Sequence, residues 1–151
     1  MKSAILLFLL ERVSPLRITY VPHNGANEPR AIPVPLMVAE LEADRMLAEG
    51  RDGACVKELT VVREMAQRTG MSAVGWMYDE ALHAIALTRQ VNNTMYVHAI
   101  GGDDCLSGTR LVAAMSRVSK KQGIVFEDTV SQRWRVAYAY YSDDAAFGGE
   151  G

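Results

Sequence analysis

The sequence predicts a single α/β (α+β) domain in which helices flank a mixed central sheet. Its 151 residues match the size of one ordinary globular domain. Hydrophobic residues make up 49% of the chain and the net charge is only −2, which excludes wholesale disorder. From residue 94 onward, segments with the alternating pattern of strands lie before and after a segment with helical periodicity. This order is typical of layered α/β folds.

The chain begins with an apolar run at residues 4–10, for which we predict a buried strand or a short core helix. A membrane span needs about 20 apolar residues, and the run is much shorter. Glu11 and Arg12 follow the run, where a signal peptide, the alternative interpretation, would carry a small-residue cleavage site. A strand is predicted at residues 16–21. Without a signal sequence we expect a cytoplasmic protein whose Cys55 and Cys105 are free thiols.

Two helices are predicted in the first half of the chain. The first starts at Pro33 and Pro35, ends at Gly50 and places on one face the apolar residues Met37, Leu41, Met46 and Ala48. The second starts after Asp52, ends at Gly70 and carries apolar residues three and four positions apart: Cys55, Leu59, Val62 and Ala66.

The segment 73–90 is compatible with two structures. Val74, Trp76 and Tyr78 alternate with smaller or polar residues and a second apolar stretch follows, which indicates a two-stranded hairpin. Asp79 and Glu80 are poor turn residues, however. The alternative takes Asp79 as the N-cap of a helix over residues 80–90, because Glu, Ala and Leu favour helices.

The second half of the chain continues as an alternating series. We predict a strand at 94–100, a loop at 101–104, an amphipathic helix at 108–122 and a strand at 125–130. A strand or a helix follows at 132–141. Residues 142–151 are rich in Gly and acidic residues, so we predict a flexible tail there.

The order of these elements resembles the GNAT acyltransferase superfamily. The resemblance rests on the strand pair after Trp76, the strand residues 95–98, the stretch 107–112 and the helix end at 120–124, and it covers about a third of the chain. It implies that acetyl-CoA is bound through its pyrophosphate by backbone N–H groups at a helix N-terminus. The residues at the matching positions are Ser107, Gly108, Thr109 and Arg110.

The resemblance also suggests candidate catalytic residues. A late tyrosine acts as general acid in many members of the family, and Tyr141 is the candidate here. Glu80 and Glu127 are the carboxylates placed on elements of the proposed core where a general base is needed, and Glu80 is the candidate base. Packing of the tyrosines and solvation of Glu80 are the alternative explanations of these residues.

The loop before the third helix departs from the family pattern. That pattern reads Arg or Gln, two residues, Gly, one residue, then Gly or Ala, and only Gly108 fits it. Asp103 takes the cationic position, Leu106 takes a glycine position, and Asp104 adds a second negative charge. We therefore predict a non-catalytic interaction or assembly protein with this fold and no cofactor, such as a virion component of a tailed phage. The alternative is an acyl-CoA-dependent N-acyltransferase.

Composition limits the partners of the chain. With 16 Lys+Arg against 18 Asp+Glu, no broad nucleic-acid interface is expected. The three histidines lack metal-ligand spacing, so no metal site is predicted. Cys105 and His98 are conceivable as a nucleophile and its base, with a structural thiol as the favoured explanation. The eight Met residues and the high apolar content predict self-association or a stable protein partner.

Overall fold

A mixed sheet forms the centre of the molecule. The computed structural model describes residues 28–118 and 123–148. The strands of the sheet are β1 (Arg30–Val34), β2 (Ser72–Tyr78), β3 (Ala81–Val91), β4 (Thr94–Gly102) and β5 (Gly123–Phe126). Within the described residues they lie in the order β1-β2-β3-β4-β5, with β1 to β4 antiparallel and β5 parallel to β4. The predicted fold class, a mixed sheet with flanking helices, is confirmed.

Helices cover both faces of the sheet. They are α1 (Leu36–Ala48), α2 (Ala54–Lys57), α3 (Leu59–Met65), α4 (Cys105–Val118) and α5 (Gln132–Gly148). One face packs against α1, α2 and α3, and the other packs against α4 and α5. In β3, Leu82 and Ile85 belong to the first core, whereas Ala84 and Ala86 belong to the second. The ring of Trp134 is buried in the same second core.

The start of the first helix differs from the prediction. Pro33 lies in β1, and Pro35 is the N-cap of α1. Among the described strands β1 is at the edge of the sheet, where a proline can be accommodated without its N–H. Met37 and Leu41 are 52% and 49% exposed, so the predicted inward face is wrong at these positions, and of its members Met46 is buried. The residues that α1 buries are Val38, Ala39, Glu42, Ala43 and Met46.

The buried face predicted for the second helix is confirmed. Cys55, Leu59, Val62 and Ala66 are all buried, although the helix is divided into α2 and α3 at Glu58. Gly70 follows with φ +83°, a left-handed conformation that favours glycine. The local period of 3.6 residues was therefore sufficient to identify the residues that face the sheet.

The segment 73–90 is a hairpin. β2 pairs with β3, and the connection is made by Asp79 and Glu80, with φ values of 52° and 61°. Two successive residues with positive φ are the signature of a type I′ turn, whose twist matches that of the flanking strands. Leu82, Ile85 and Leu87 are buried in one core, and Ala84 and Ala86 in the other. Burial on both faces explains why a strand forms despite the unfavourable turn residues.

Three further boundaries differ from the prediction, and the first is the strand predicted at 125–130, which begins at Gly123 and ends at Phe126. Gly101 and Gly102 belong to β4 instead of a loop, and α4 begins at Cys105. A Cβ on Gly101 would lie 2.8 Å from the Leu59 nitrogen, so only glycine allows β4 to contact α3 so closely. The tyrosine-rich segment is the helix α5, and its backbone is helical to Gly148, while the flexibility of 142–151 stays a prediction. The segments 4–10, 16–21 and 119–122 lie outside the described residues.

Candidate functional site

A cleft opens where β4 and β5 part. Their parallel pairing runs from Thr94–Gly123 to Val97–Phe126, after which β5 ends while β4 continues to Gly102. The cleft has a volume of about 20 Å³, which is room for a single water molecule. The residues that line it are Glu58, Val61, Ala99, Ile100, Thr129, Val130 and Ser131.

A β-bulge in β4 borders this cleft. Leu87 pairs with Ala99 and Thr88 pairs with Val97, so His98 is the extra residue of the bulge. The Thr129 hydroxyl donates a hydrogen bond of 2.7 Å to the His98 carbonyl. Burial lowers the pKa of His98, and its Nε2 has no hydrogen-bond partner among the described residues. The bulge thus interrupts the regular pairing of β4 beside the lining residue Ala99.

Glu58 is the only charged side chain among the described residues that line the cleft. Its Oε2 accepts a hydrogen bond of 2.7 Å from Trp134 Nε1, and its Oε1 lies 3.7 Å from Arg133 Nε. Both partners are on α5, whereas Glu58 stands between α2 and α3. The carboxylate is therefore held at a defined position between the two helical layers. No motif marked Glu58 in the sequence, because its partners are more than 70 positions away.

Aspartates occupy the N-terminus of α4. Asp104 Oδ1 accepts a hydrogen bond of 2.7 Å from the Ser107 N–H, as a helix N-cap does. Burial opposes ionisation of Asp104, but the hydrogen bonds from Ser107 and Asp103 outweigh it and lower the pKa. Asp103 is only 6% exposed. Two carboxylates thus stand at the end of the helix where the resemblance places a pyrophosphate.

The four predicted cofactor residues lie within α4. The Ser107 N–H is bonded to Asp104, and the Thr109 hydroxyl donates to the Cys105 carbonyl over 2.9 Å. Gly108 is buried against the ring of Trp134, which a Cβ at this position would overlap. Arg110 is exposed. Gly108 therefore has a packing role in the structure, and binding of acetyl-CoA by these residues stays a prediction.

The two predicted catalytic residues lie away from the cleft lining. Glu80 is in the turn between β2 and β3. Tyr141 is on α5, where its ring makes an edge contact with Tyr140 at a centroid distance of 5.1 Å. Tyr138 packs against Phe126 at 5.3 Å. The catalytic roles of Glu80 and Tyr141 stay predictions.

Cys55 and Cys105 form a disulfide bond, so the prediction of free thiols is wrong. The bond joins α2 to the first residue of α4, with the Cα atoms 5.4 Å apart. The two cysteines are 50 positions apart, so only the tertiary fold brings them within bonding distance. Cys105 is therefore not a free nucleophile for His98 to activate.

A histidine–aspartate pair was missed in the sequence. His83 is the extra residue of a second bulge, between β2 and β3, and its Nδ1 lies 2.8 Å from Asp103 Oδ2. The ring of Tyr78 stacks on the imidazole at 3.8 Å. His83 Nε2 and Asp103 Oδ1 are buried and have no hydrogen-bond partner among the described residues. The pair joins β3 to the end of β4, a contact that local pattern does not reveal.

Two classes of feature are absent from the described residues. No helix there is long and apolar enough to span a bilayer. The same residues contain no group of three or more His, Cys, Asp or Glu side chains that is suitable for a metal ion.

Comparisons with known proteins yield matches only among solved structures. No family model matches the chain, and no curated protein matches it. A ribosomal-protein-alanine N-acetyltransferase from Brucella melitensis biovar Abortus 2308 is similar over 74% of this chain and 90% of its own, with 11% identity and a TM-score of 0.48. The aminoglycoside acetyltransferase meta-AAC0020 from an uncultured soil metagenomic sample, solved with sisomicin, matches 79% and 90% of the two chains, with 6% identity and a TM-score of 0.45.

A third structure is the aminoglycoside N-acetyltransferase AAC(6')-Iy in complex with CoA. It covers 82% of this chain and 89% of its own, with 15% identity and a TM-score of 0.41. All three structures are acetyltransferases. At such low identities and TM-scores the similarity by itself assigns no activity and no ligand to this chain.

Proposed function

We propose that this chain is an acyl-CoA-dependent N-acyltransferase. The acyl group of the acyl-CoA donor enters the cleft between β4 and β5. The observation that supports the proposal is a carboxylate, Glu58, held at the point where two parallel strands part. Ligand sites of sheets with parallel strands commonly lie beyond the carboxyl ends of those strands. Ala99, Ile100 and Val130 provide an apolar wall for an acyl chain, and Thr129 and Ser131 provide hydroxyl groups.

In this proposal an amine attacks the thioester carbonyl directly. The N–C bond forms, the C–S bond breaks, and the coenzyme A thiol leaves with a proton. Glu58 accepts the proton from the attacking amine as general base. The carboxylate keeps its position because Trp134 Nε1 donates to its second oxygen. Glu80 and Tyr141, which the sequence predicts as base and acid, are the competing candidates.

Arg133 is the cation that we assign to the phosphates of the donor. It is exposed, and its guanidinium lies 3.3 Å from Ser131 Oγ and 3.7 Å from Glu58 Oε1, both of which belong to lining residues. The N-terminus of α4 is a weaker anion site, because Asp104 already accepts the Ser107 N–H. A cleft of about 20 Å³ must also widen before it admits an acetyl group.

A non-catalytic protein with this fold is the second candidate. The observation that favours it is the pair Asp103 and Asp104 at the start of α4, where like charges oppose a pyrophosphate. Such a protein needs no cofactor and acts through protein partners or self-association, as a cytoplasmic assembly factor or a virion component does. It differs from the first candidate in one measurable property, the affinity for acyl-CoA.

Isothermal titration with acetyl-CoA distinguishes the two candidates. A dissociation constant in the micromolar range supports the acyltransferase. No heat of binding at millimolar acetyl-CoA refutes it and leaves the second candidate. Titration of the Arg133→Gln variant then tests the phosphate contact, with the exposed Arg117 on the last turn of α4 replaced by Gln as a control.

Turnover measurements test the assignment of the base. We expect Glu58→Gln to lower kcat for a primary amine by about 10²-fold or more at unchanged affinity for acetyl-CoA. The amide oxygen of Gln can still accept the Trp134 hydrogen bond, so the cleft is preserved. A larger loss in Glu80→Gln or Tyr141→Phe than in Glu58→Gln would move the assignment to that residue.

A further inference from the structure

We propose that the Cys55–Cys105 bond is a thiol–disulfide exchange site at which a low-molecular-weight monothiol forms a mixed disulfide with Cys105. The two sulfur atoms differ in accessibility. Cys55 is 1% exposed and belongs to the core between the sheet and α4, whereas Cys105 is only half-buried. An incoming thiolate therefore reaches Cys105 Sγ and not Cys55 Sγ. The observations that support this inference do not depend on the proposed acyl transfer.

The surroundings of Cys105 stabilise its thiolate. Arg133 Nη1 lies 3.6 Å from Cys105 Sγ, so a guanidinium faces the sulfur directly. Cys105 is also the first residue of α4, a 14-residue helix whose N-terminal dipole favours negative charge. Asp104 and Glu58 are neighbouring charges of opposite effect: Asp104 Oδ1 accepts the Ser107 N–H, and Glu58 Oε1 lies 3.7 Å from the Nε atom of the same guanidinium. A stabilised Cys105 thiolate favours the reduced form of the pair at equilibrium, and it is a good leaving group when a second thiol resolves the mixed disulfide.

The exchange proceeds in two balanced steps. The thiolate of the monothiol attacks Cys105 Sγ, a new S–S bond forms, and Cys55 leaves as a thiolate that takes up the proton the monothiol released. The thiolate of a second monothiol then attacks the sulfur of the first and releases the Cys105 thiolate beside Arg133, where it takes up the proton that the second monothiol lost. Two monothiols are oxidised to one disulfide, and the protein disulfide is reduced to two thiols.

The exchange site is coupled to the cleft through α2. Cys55 lies on this short helix, which ends at Lys57, and Glu58 follows directly. Arg133 also links the two sites, because it contacts both Cys105 Sγ and Glu58 Oε1. Opening the bond releases α2 from α4 and so removes one of the restraints on the cleft wall.

Exposure of the intact protein to glutathione redox buffers tests the proposal. We expect mass spectrometry after acid quenching to detect a protein carrying one glutathione, with the modification mapped to Cys105. At a large excess of reduced glutathione Cys105 should become available to alkylation without loss of the helical circular-dichroism signal, and denaturation should then make Cys55 available to the reagent as well. A bond that stays closed under these conditions would overturn the proposal, as would a mixed disulfide on Cys55.

The Arg133→Gln variant tests the electrostatic argument. We expect the thiol–disulfide equilibrium to shift toward the disulfide by about threefold or more, and the alkylation of reduced Cys105 to require a higher pH. Arg117→Gln is the control, because Arg117 is exposed and lies on α4 about 18 Å from Cys105 along the helix axis. Equal behaviour of Arg133→Gln and Arg117→Gln would refute a role of Arg133.

Discussion

Loss of the Cys55–Cys105 bond should destabilise the protein by about 4 kcal/mol. The bond closes a loop with a sequence separation of 50 residues. In the chain-entropy model, a loop of this length lowers the entropy of the unfolded chain by about 14 cal/mol/K, which corresponds to about 4 kcal/mol at 25 °C. In a domain of about 150 residues, this change lowers Tm by roughly 8–16 °C.

Urea unfolding measures this contribution. The wild-type protein is unfolded with and without a strong dithiol reductant, and the Cys55→Ala/Cys105→Ala variant is unfolded under both conditions. We expect the reduced wild type and the variant to unfold at similar, lower urea concentrations. The variant is also the control for the reductant, which should leave its midpoint unchanged.

Two results would refute the reasoning. A loss of stability below about 1 kcal/mol would show that the bond does not restrict the unfolded chain as the loop length implies. A reductant effect on the variant without cysteines would show that the destabilisation has another cause. A disulfide that stabilises the protein by about 4 kcal/mol can still undergo thiol–disulfide exchange. Arg133 stabilises the Cys105 thiolate once the bond has opened.

Three further predictions concern the turn, α4 and β4. Replacing Asp79–Glu80 by Asn-Gly should stabilise the protein by about 1 kcal/mol, measured by urea unfolding, because both residues have positive φ. Gly108→Ala should destabilise it by about 1–3 kcal/mol in the same assay, because the new methyl group overlaps the Trp134 ring. His98 has a lowered folded pKa because of burial, so the unfolded chain binds the proton more readily. Stability should therefore be full above about pH 6.5 and fall as the pH drops below it, and His98→Gln should weaken this dependence in unfolding curves at pH 7 and pH 5.

Each of these predictions has a control or a contrary outcome. Gly123→Ala is matched to Gly108→Ala, because a Cβ there meets Thr94 atoms only at 3.5 Å and 3.8 Å, and we expect a small effect. Equal losses in both variants would contradict the packing role of Gly108. A destabilised Asn-Gly variant would contradict the type I′ turn, and an unchanged pH dependence in His98→Gln would exclude His98 as its source.

The sequence by itself determined the layered architecture and most of the buried helix faces. Leu59, Val62 and Ala66 were identified from spacing alone, because residues three and four positions apart share one side of a helix. The strand 94–100 was identified for the corresponding reason, since alternation with a period of two is local. The inward face of α1 was wrong, because Met37 and Leu41 fit a helical period equally well while facing solvent.

Only the tertiary structure decided the hairpin at 79–80 and the candidate site. Burial of β3 on both faces outweighs the poor turn residues, and this burial depends on helices distant in sequence. The cleft, the disulfide and the His83–Asp103 pair each join residues that are 20 or more positions apart. Their formation depends on how the sheet and both helical layers pack, and local residue patterns do not contain that information.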